Sequence, residues 1–182
     1  MTNPLTRVLM KADGLARSIT RLAHEILERN EGPDQLILVG ILTRGAPLAQ
    51  RIQKKLQDIT GVSPPLGSVD ITFHRDDYRE RLVVPQVKGT DLPMNLDHAT
   101  VVLVDDVLYT GRTVRAAIDT IFSYGRPNRI QLAVLVDRGH RELPIKADFV
   151  GKNIPTHEGE TIHVHLAEVD GRDEVLLLTG RE

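Results

Sequence analysis

The stretch VVLVDDVLYTGRT, Val101 to Thr113, determines how the rest of the chain is read. With Thr100 it opens as an unbroken run, TVVLVD, rich in β-branched residues, the pattern of a strand buried on both faces. That strand, expected over Thr100–Asp105, delivers two adjacent carboxylates, Asp105 and Asp106, to its end. Thr110, Gly111, Arg112 and Thr113 then lead into a helix expected over Thr113–Tyr124, with Val114, Ala117, Ile118 and Ile121 inward. Glycine lets the backbone approach a ligand closely, successive N–H groups can point at one anion, and a helix N-terminus adds positive partial charge. The threonine hydroxyls and Arg112 add donors. This is a phosphate cradle without either common glycine-rich signature, because neither G-x-x-x-x-G-K-[ST] nor G-x-G-x-x-G occurs in the chain. Successive strand residues face opposite sides, so both carboxylates are expected to meet one ligand only if the strand ends there. An isolated Asp-Asp pair before a capping threonine is usually structural. The whole string points instead to a ligand that presents phosphate together with hydroxyls or a metal.

Working outward, the same alternation of strand and helix repeats. Gln35–Leu42 (QLILVGIL) and Ile130–Val136 (IQLAVLV) read as further buried strands. Asp13 is the expected N-cap of an amphipathic helix over Gly14–Asn30, with Leu15, Ile19, Leu22, Ala23, Ile26 and Leu27 inward. A second helix is expected over Ala46–Ile59 and another strand over Leu66–Phe73. Shorter strands are expected near Ala147–Val150, Thr161–Leu166 and Glu174–Leu178. The pattern implies an α/β fold of right-handed βαβ units with a mostly parallel sheet, in a single domain over residues 1–182. Residues 147–182 lack a helical pattern and read as a small antiparallel hood. The irregular stretch 74–95, charged at HRDDYRER, reads as a flexible loop. Ligands in such sheets sit beyond the carboxyl ends of the strands. Three polar clusters fall there: Thr43-Arg44-Gly45, Asp105 to Thr113, and Asp137 to Arg141.

Composition narrows the chemistry. The 182 residues hold 23 Lys plus Arg against 25 Asp plus Glu, which excludes a uniformly basic nucleic-acid coat. There is no cysteine, so disulfides, thiolate metal sites and thiol catalysis are excluded together. With no Trp, three Tyr and three Phe, a base-stacking sheet is excluded as well. No run is long and apolar enough for a membrane span and no targeting segment is visible, so the expectation is a cytoplasmic protein.

VVLVDDVLYTGRT resembles the phosphoribosyl-pyrophosphate (PRPP) motif of type I phosphoribosyltransferases. Further strings resemble one family within that superfamily, the bifunctional pyrimidine operon attenuation regulators and uracil phosphoribosyltransferases of bacteria. They are TRLAHEILERN, LTRGAPLA, DDVLYTGRTVRAA, GRPNRIQLAVLVDRGHRELPIKAD and VGKNIPT, spanning most of the chain. The resemblance implies the type I phosphoribosyltransferase fold and the reaction of uracil with PRPP to give UMP and diphosphate. It implies that Asp105 and Asp106 hold the ribose hydroxyls of PRPP, directly or through Mg²⁺ bound by way of ribose or water. It gives the 5′-phosphate to Tyr109, Thr110, Gly111, Arg112 and Thr113. The leaving diphosphate goes to Thr43, Arg44 and Gly45, with Arg44 catalytic beside the two acids. Asp137, Arg138 and Ile162 fall on the uracil side. The flexible loop, with Arg75, Arg79 and Arg81, would close over PRPP, and the family suggests a homodimer or higher homo-oligomer.

The family also implies an RNA partner, the leader of pyrimidine-operon messenger RNA, bound in response to UMP or UTP to regulate transcription by attenuation. The matching positions are Thr20, Arg21, His24, Arg29, His140, Arg141, Lys146 and Lys152. Charge is distributed to suit this: residues 126–152 hold six Lys or Arg against three acids, whereas residues 153–182 hold two against seven. Thr20, Arg21 and His24 share one face of the first helix with Arg17. Two other readings stand beside this one. One is a purine-type phosphoribosyltransferase without RNA regulation, against which the strings DRGHRELP and GKNIPT argue. The other is a regulator that keeps its transferase site only as a nucleotide sensor.

Overall fold

The computed structural model describes residues 5–71, 89–93 and 95–179. The apolar runs become strands β2 (Leu36–Ile41), β3 (Leu66–Val69), β4 (Thr100–Leu108), β5 (Arg129–Asp137) and β6 (Phe149–Asn153). They form one parallel sheet in the order β3-β2-β4-β5-β6. Alternation splits their side chains between two cores. Leu36, Leu38, Val102, Val104, Ala133 and Leu135 pack with helices α1 (Ala12–Asn30) and α2 (Gly45–Thr60). Ile37, Val39, Val101, Leu103, Leu132 and Val134 pack with helix α3 (Arg112–Tyr124). Runs without polar interruption are what a sheet covered on both faces requires.

The helical spacing holds. Leu15, Ile19, Leu22, Ala23 and Ile26 of α1 are buried as the periodicity predicts. Each fully buried Leu or Ile contributes about 1.5–3 kcal/mol. Asp13 is not the N-cap, however. Strand β1 (Leu5–Lys11) runs straight into α1, so Lys11 takes the cap position and Asp13 lies in the first turn. There its carboxylate accepts a hydrogen bond from Arg17 Nη1 at 3.1 Å.

β1 itself is a departure from the sequence reading. It pairs antiparallel with β8 (Glu174–Thr179), which pairs antiparallel with β7 (Glu160–His165), giving a second sheet β1-β8-β7. The hood is therefore made from both ends of the described chain rather than from residues 147–182 alone. β6 leaves it to join the parallel sheet beside β5. β1 was illegible because Thr6, Arg7 and Val8 are all exposed, so no alternation marks a buried face. One helical turn, α4 (Ala167–Asp170), joins β7 to β8 and is too short to carry a period. The expected strand Leu66–Phe73 ends at Val69, and Phe73 and most of the expected loop, with Arg75, Arg79 and Arg81, lie outside the described residues. No helix among the described residues is long and apolar enough to cross a membrane.

Candidate active site

The order β3-β2-β4 reverses the direction in which the sheet is built, because β3 adds on one side of β2 and β4 on the other. A crevice is expected beyond the carboxyl ends at such a switch point. The β2–β4 ladder ends at Gly40 opposite Val104. β4 nevertheless continues to Leu108, still paired with β5. The strand therefore does not stop at the acid pair, as the sequence reading required. Instead it loses its β2 neighbour after Val104, and Asp105 and Asp106 both reach the gap so opened.

A cavity of about 330 Å³ fills that gap. Thr43 and Arg44 line it from the turn after β2, where the Leu42–Thr43 peptide is cis. Asp105 and Asp106 form its floor, and Tyr109, Thr110, Gly111 and Thr113 form the wall leading into α3. Arg138 enters from the end of β5, and Thr161 and Ile162 from β7. Gly111 has φ 94°, which favours glycine, and a Cβ there would sit 3.3 Å from the Ile145 side chain. Residues 142–145 brace the loop from outside: the Thr110 carbonyl accepts from the N–H of Glu142 and of Leu143.

Three expected residues are placed differently. Gly45 lies behind the cavity wall, pressed against the Val104 carbonyl. Arg112 Nε donates to Glu142 Oε2 at 2.6 Å. Asp137 does not line the cavity; it accepts from the Gly139 N–H and from Arg141 Nη2, closing the turn after β5. Arg138, by contrast, is buried, with its guanidinium 4.0 Å over the Tyr109 ring. It donates to Thr156 Oγ1 and, at 2.7 Å, to the Glu160 carbonyl. It thus joins the phosphate-loop wall to the hood.

The contacts between residues 44–51, at the start of α2, and residues 168–173, in and after α4, leave no mark in the local sequence. Arg44 donates through Nε and Nη2 to both oxygens of Asp170, at 3.1 and 2.7 Å. Seven residues on, Arg51 holds Glu168 and Asp173 together. The excess of acids in the tail was visible in the sequence, but their partners lie more than a hundred residues earlier. Hydrogen bonding to Asp170 raises the Arg44 pKa, with Asp106 adding to the effect. The arginine contacts likewise hold Glu168, Asp170 and Asp173 below their ordinary carboxylate values. Such pairs contribute stability above the unfolded-state value of about 4, and that contribution is lost as pH falls through the lower folded-state values. Arg51→Met should accordingly lose less stability than the parent chain between about pH 6 and about pH 2.5 in urea unfolding. Parallel stability curves for the two proteins would show that the network contributes nothing.

The expected RNA-side residues do not form one cluster. Thr20, Arg21 and His24 line a shallow depression on α1 with Ala16 and Arg17. Arg21 and Arg17 also border a second depression with Lys11 and Lys152. Arg21 ties α1 to β6 by donating to the Val150 and Gly151 carbonyls. Arg29 pairs with Asp148 at 3.3 Å, and Lys146 is exposed. His140 and Arg141 instead abut the cavity wall. His140 contacts the Thr156 carbonyl and the edge of Tyr109, and Arg141 donates to the Tyr109 carbonyl.

Among the described residues no group of three or more His, Asp or Glu side chains is arranged to hold a metal ion. Two adjacent carboxylates do suit Mg²⁺, which takes one or two protein carboxylates and completes its shell with water and substrate phosphates. Asp105 and Asp106 therefore fit an ion that arrives with a phosphorylated ligand rather than a caged structural metal.

Residues 9–168 match the family described as phosphoribosyl transferase domain. The chain is 59% identical to the bifunctional protein PyrR of Clostridioides difficile over 169 residues, covering 93% of this chain and 96% of that protein. It is 57% identical to the bifunctional protein PyrR of Chloroflexus aurantiacus, covering 94% of each. Among solved structures it is similar to a hypoxanthine phosphoribosyltransferase from Staphylococcus aureus, with TM-score 0.71 at 20% identity over 95% of this chain and 90% of that one. The hypoxanthine phosphoribosyltransferase of Trypanosoma cruzi in complex with IMP gives TM-score 0.68 at 17% identity, over 94% and 89%. At these identities the structural likeness speaks for the fold alone.

Proposed function

The chain belongs to the phosphoribosyl transferase domain family and, within it, to the bifunctional PyrR proteins; from that premise we propose that it converts uracil and PRPP to UMP and diphosphate and that it regulates pyrimidine-operon expression by binding leader RNA. The observation that carries the enzymatic half is the convergence on one cavity of the Thr43–Arg44 turn, the Asp105–Asp106 pair and the Tyr109–Thr113 loop.

In this reading the 5′-phosphate lies in the loop before α3, held by its backbone N–H groups and threonine hydroxyls. Asp105 and Asp106 accept from the ribose 2′- and 3′-hydroxyls. Arg44 and the backbone of its turn hold the diphosphate as it takes up negative charge on leaving C1. Mg²⁺, when bound, would help neutralise that charge beside the acid pair. Uracil enters from the hood side. There β7 is a sheet edge, and the carbonyl and N–H of Glu160 already point away from β8, towards Arg138 and the His157 carbonyl. Backbone groups alternate along a strand, so those of Ile162, two residues on, face the same free edge and can pair with the polar edge of the base. The developing positive charge on ribose forms beside the two carboxylates.

RNA binding is supported by the PyrR likeness and by the basic surface of Lys11, Arg17, Arg21 and Lys152. The bracing of the phosphate loop by residues 141–145 gives nucleotide occupancy a route to a segment that carries His140, Arg141 and Lys146. We read the protein as cytoplasmic, with PRPP, uracil, uridine nucleotides and messenger RNA as its partners.

One preparation tests both halves. Leader RNA should bind about tenfold more tightly with saturating UMP in a filter assay at fixed salt, and the same protein should form UMP from uracil in preference to IMP from hypoxanthine. Equal RNA affinity with and without UMP would overturn the coupling. Preference for hypoxanthine would overturn the assignment of the base.

A further inference from the structure

We propose that Asp170 is a positioning residue for the transferase reaction: it fixes Arg44 with its outer donors aimed at the diphosphate. The inference rests on the assignment of the Thr43–Gly45 turn to diphosphate. An arginine side chain has many rotamers to lose, so an arginine on a turn needs a second anchor before it can present a fixed edge to a ligand. Asp170 supplies that anchor. Its two oxygens take the Nε and Nη2 edge of Arg44, and Oδ2 also accepts the Leu166 N–H at 2.9 Å. Arg44 lines the cavity and Asp170 does not. Asp170 thus holds the Nε and Nη2 side of the guanidinium from outside the cavity lining, its charge matched before any phosphate arrives, and in this proposal the Nη1 side of Arg44 is the one that meets the ligand.

The anchor is itself anchored. Asp173 accepts the Ala167 N–H, and Arg51 grips both Glu168 and Asp173. α4 follows directly on β7, which brings Thr161 and Ile162 to the cavity. The hood thus supplies both the base edge and the support for the diphosphate arginine. A carboxylate poised to compete for Arg44 would make a different prediction from one that orients it, and the two separate in binding experiments.

Inorganic diphosphate and UMP, each with Mg²⁺, should be titrated calorimetrically into the parent chain and into Asp170→Ala, Asp170→Asn and Arg44→Ala. Asp170→Ala should weaken diphosphate binding and raise KM for PRPP about tenfold, with UMP affinity and KM for uracil held within about twofold. Asp170→Asn should recover part of the loss, since its remaining oxygen still accepts one hydrogen bond. Tighter or unchanged diphosphate binding in Asp170→Ala overturns the positioning role. Equal losses for diphosphate and UMP overturn it too, because they mark a general collapse of the hood. Unchanged diphosphate binding in Arg44→Ala removes the diphosphate reading of the turn itself, whereas a loss there with none in Asp170→Ala removes only the proposal about Asp170.

Discussion

Asp106→Asn should leave a folded protein that forms UMP on the order of 100-fold more slowly. The substitution keeps shape and volume, and the amide oxygen can still accept the Val107 N–H that Asp106 Oδ1 accepts at 2.8 Å. Only the charge and half of the acceptor capacity are removed. A hydrogen bond to a charged group contributes about 1.5–3 kcal/mol, and each 1.4 kcal/mol is a factor of ten. One lost charge-assisted bond to a ribose hydroxyl thus accounts for roughly tenfold to a hundredfold. Loss of a negative charge beside a ribose that is becoming positive adds to it in the transition state, so the fall should appear in kcat as well as in KM for PRPP. Steady-state UMP formation measures the effect, with thermal unfolding as the control for folding. Near-normal turnover in a well-folded variant would remove Asp106 from the site.

The acid pair also shows how far local sequence reaches. Val101 to Val104 is apolar on both faces because both cores need it, and that requirement is written residue by residue. The cradle before α3 was equally legible, since Thr110, Gly111 and Thr113 are contiguous and glycine at φ 94° has a local cause. The local pattern still places the end of the strand at Asp105, three residues short of Leu108. What separates Asp106 from β2 is not a property of β4 but the departure of β2 at Leu42, sixty-odd residues earlier in the chain. Asp170 and Arg51 were missed for the same reason. A carboxylate in an acidic tail and an arginine on a helix are ordinary surface residues until the fold brings them together. β1 was hidden by its exposure: strand pairing with β8 comes through the backbone, which the pattern of side chains does not encode.

Gly45→Ala should be strongly destabilising although alanine is the better helix former and Gly45 opens α2. A Cβ at this position would lie 2.4 Å from the Val104 carbonyl oxygen and 3.3 Å from its carbon. Both are main-chain atoms of a central strand, with β2 on one side and β5 on the other, so no side chain can swing aside. Either α2 lifts from the sheet or β4 bends. Overpacking of this kind costs about 1–3 kcal/mol even where side chains can relax, and in a chain of this length each kcal/mol lowers Tm by about 2–4 °C. A drop of roughly 5–10 °C is therefore expected by differential scanning calorimetry. Gln50→Ala, at an exposed position on the same helix, should move Tm by no more than about 1–2 °C and separates the clash from any general sensitivity of α2. The activity should fall further than the stability explains. Gly45 sits between Arg44 and the Val104–Asp105 backbone, so the shift that relieves the clash also draws the arginine away from the carboxylates. A misplacement of about 1 Å can cost on the order of 100-fold in rate. Gly45→Ala assayed well below its own Tm should show that loss; a variant with wild-type Tm and rate would mean that the close approach of α2 to β4 does not hold the two halves of the site in register.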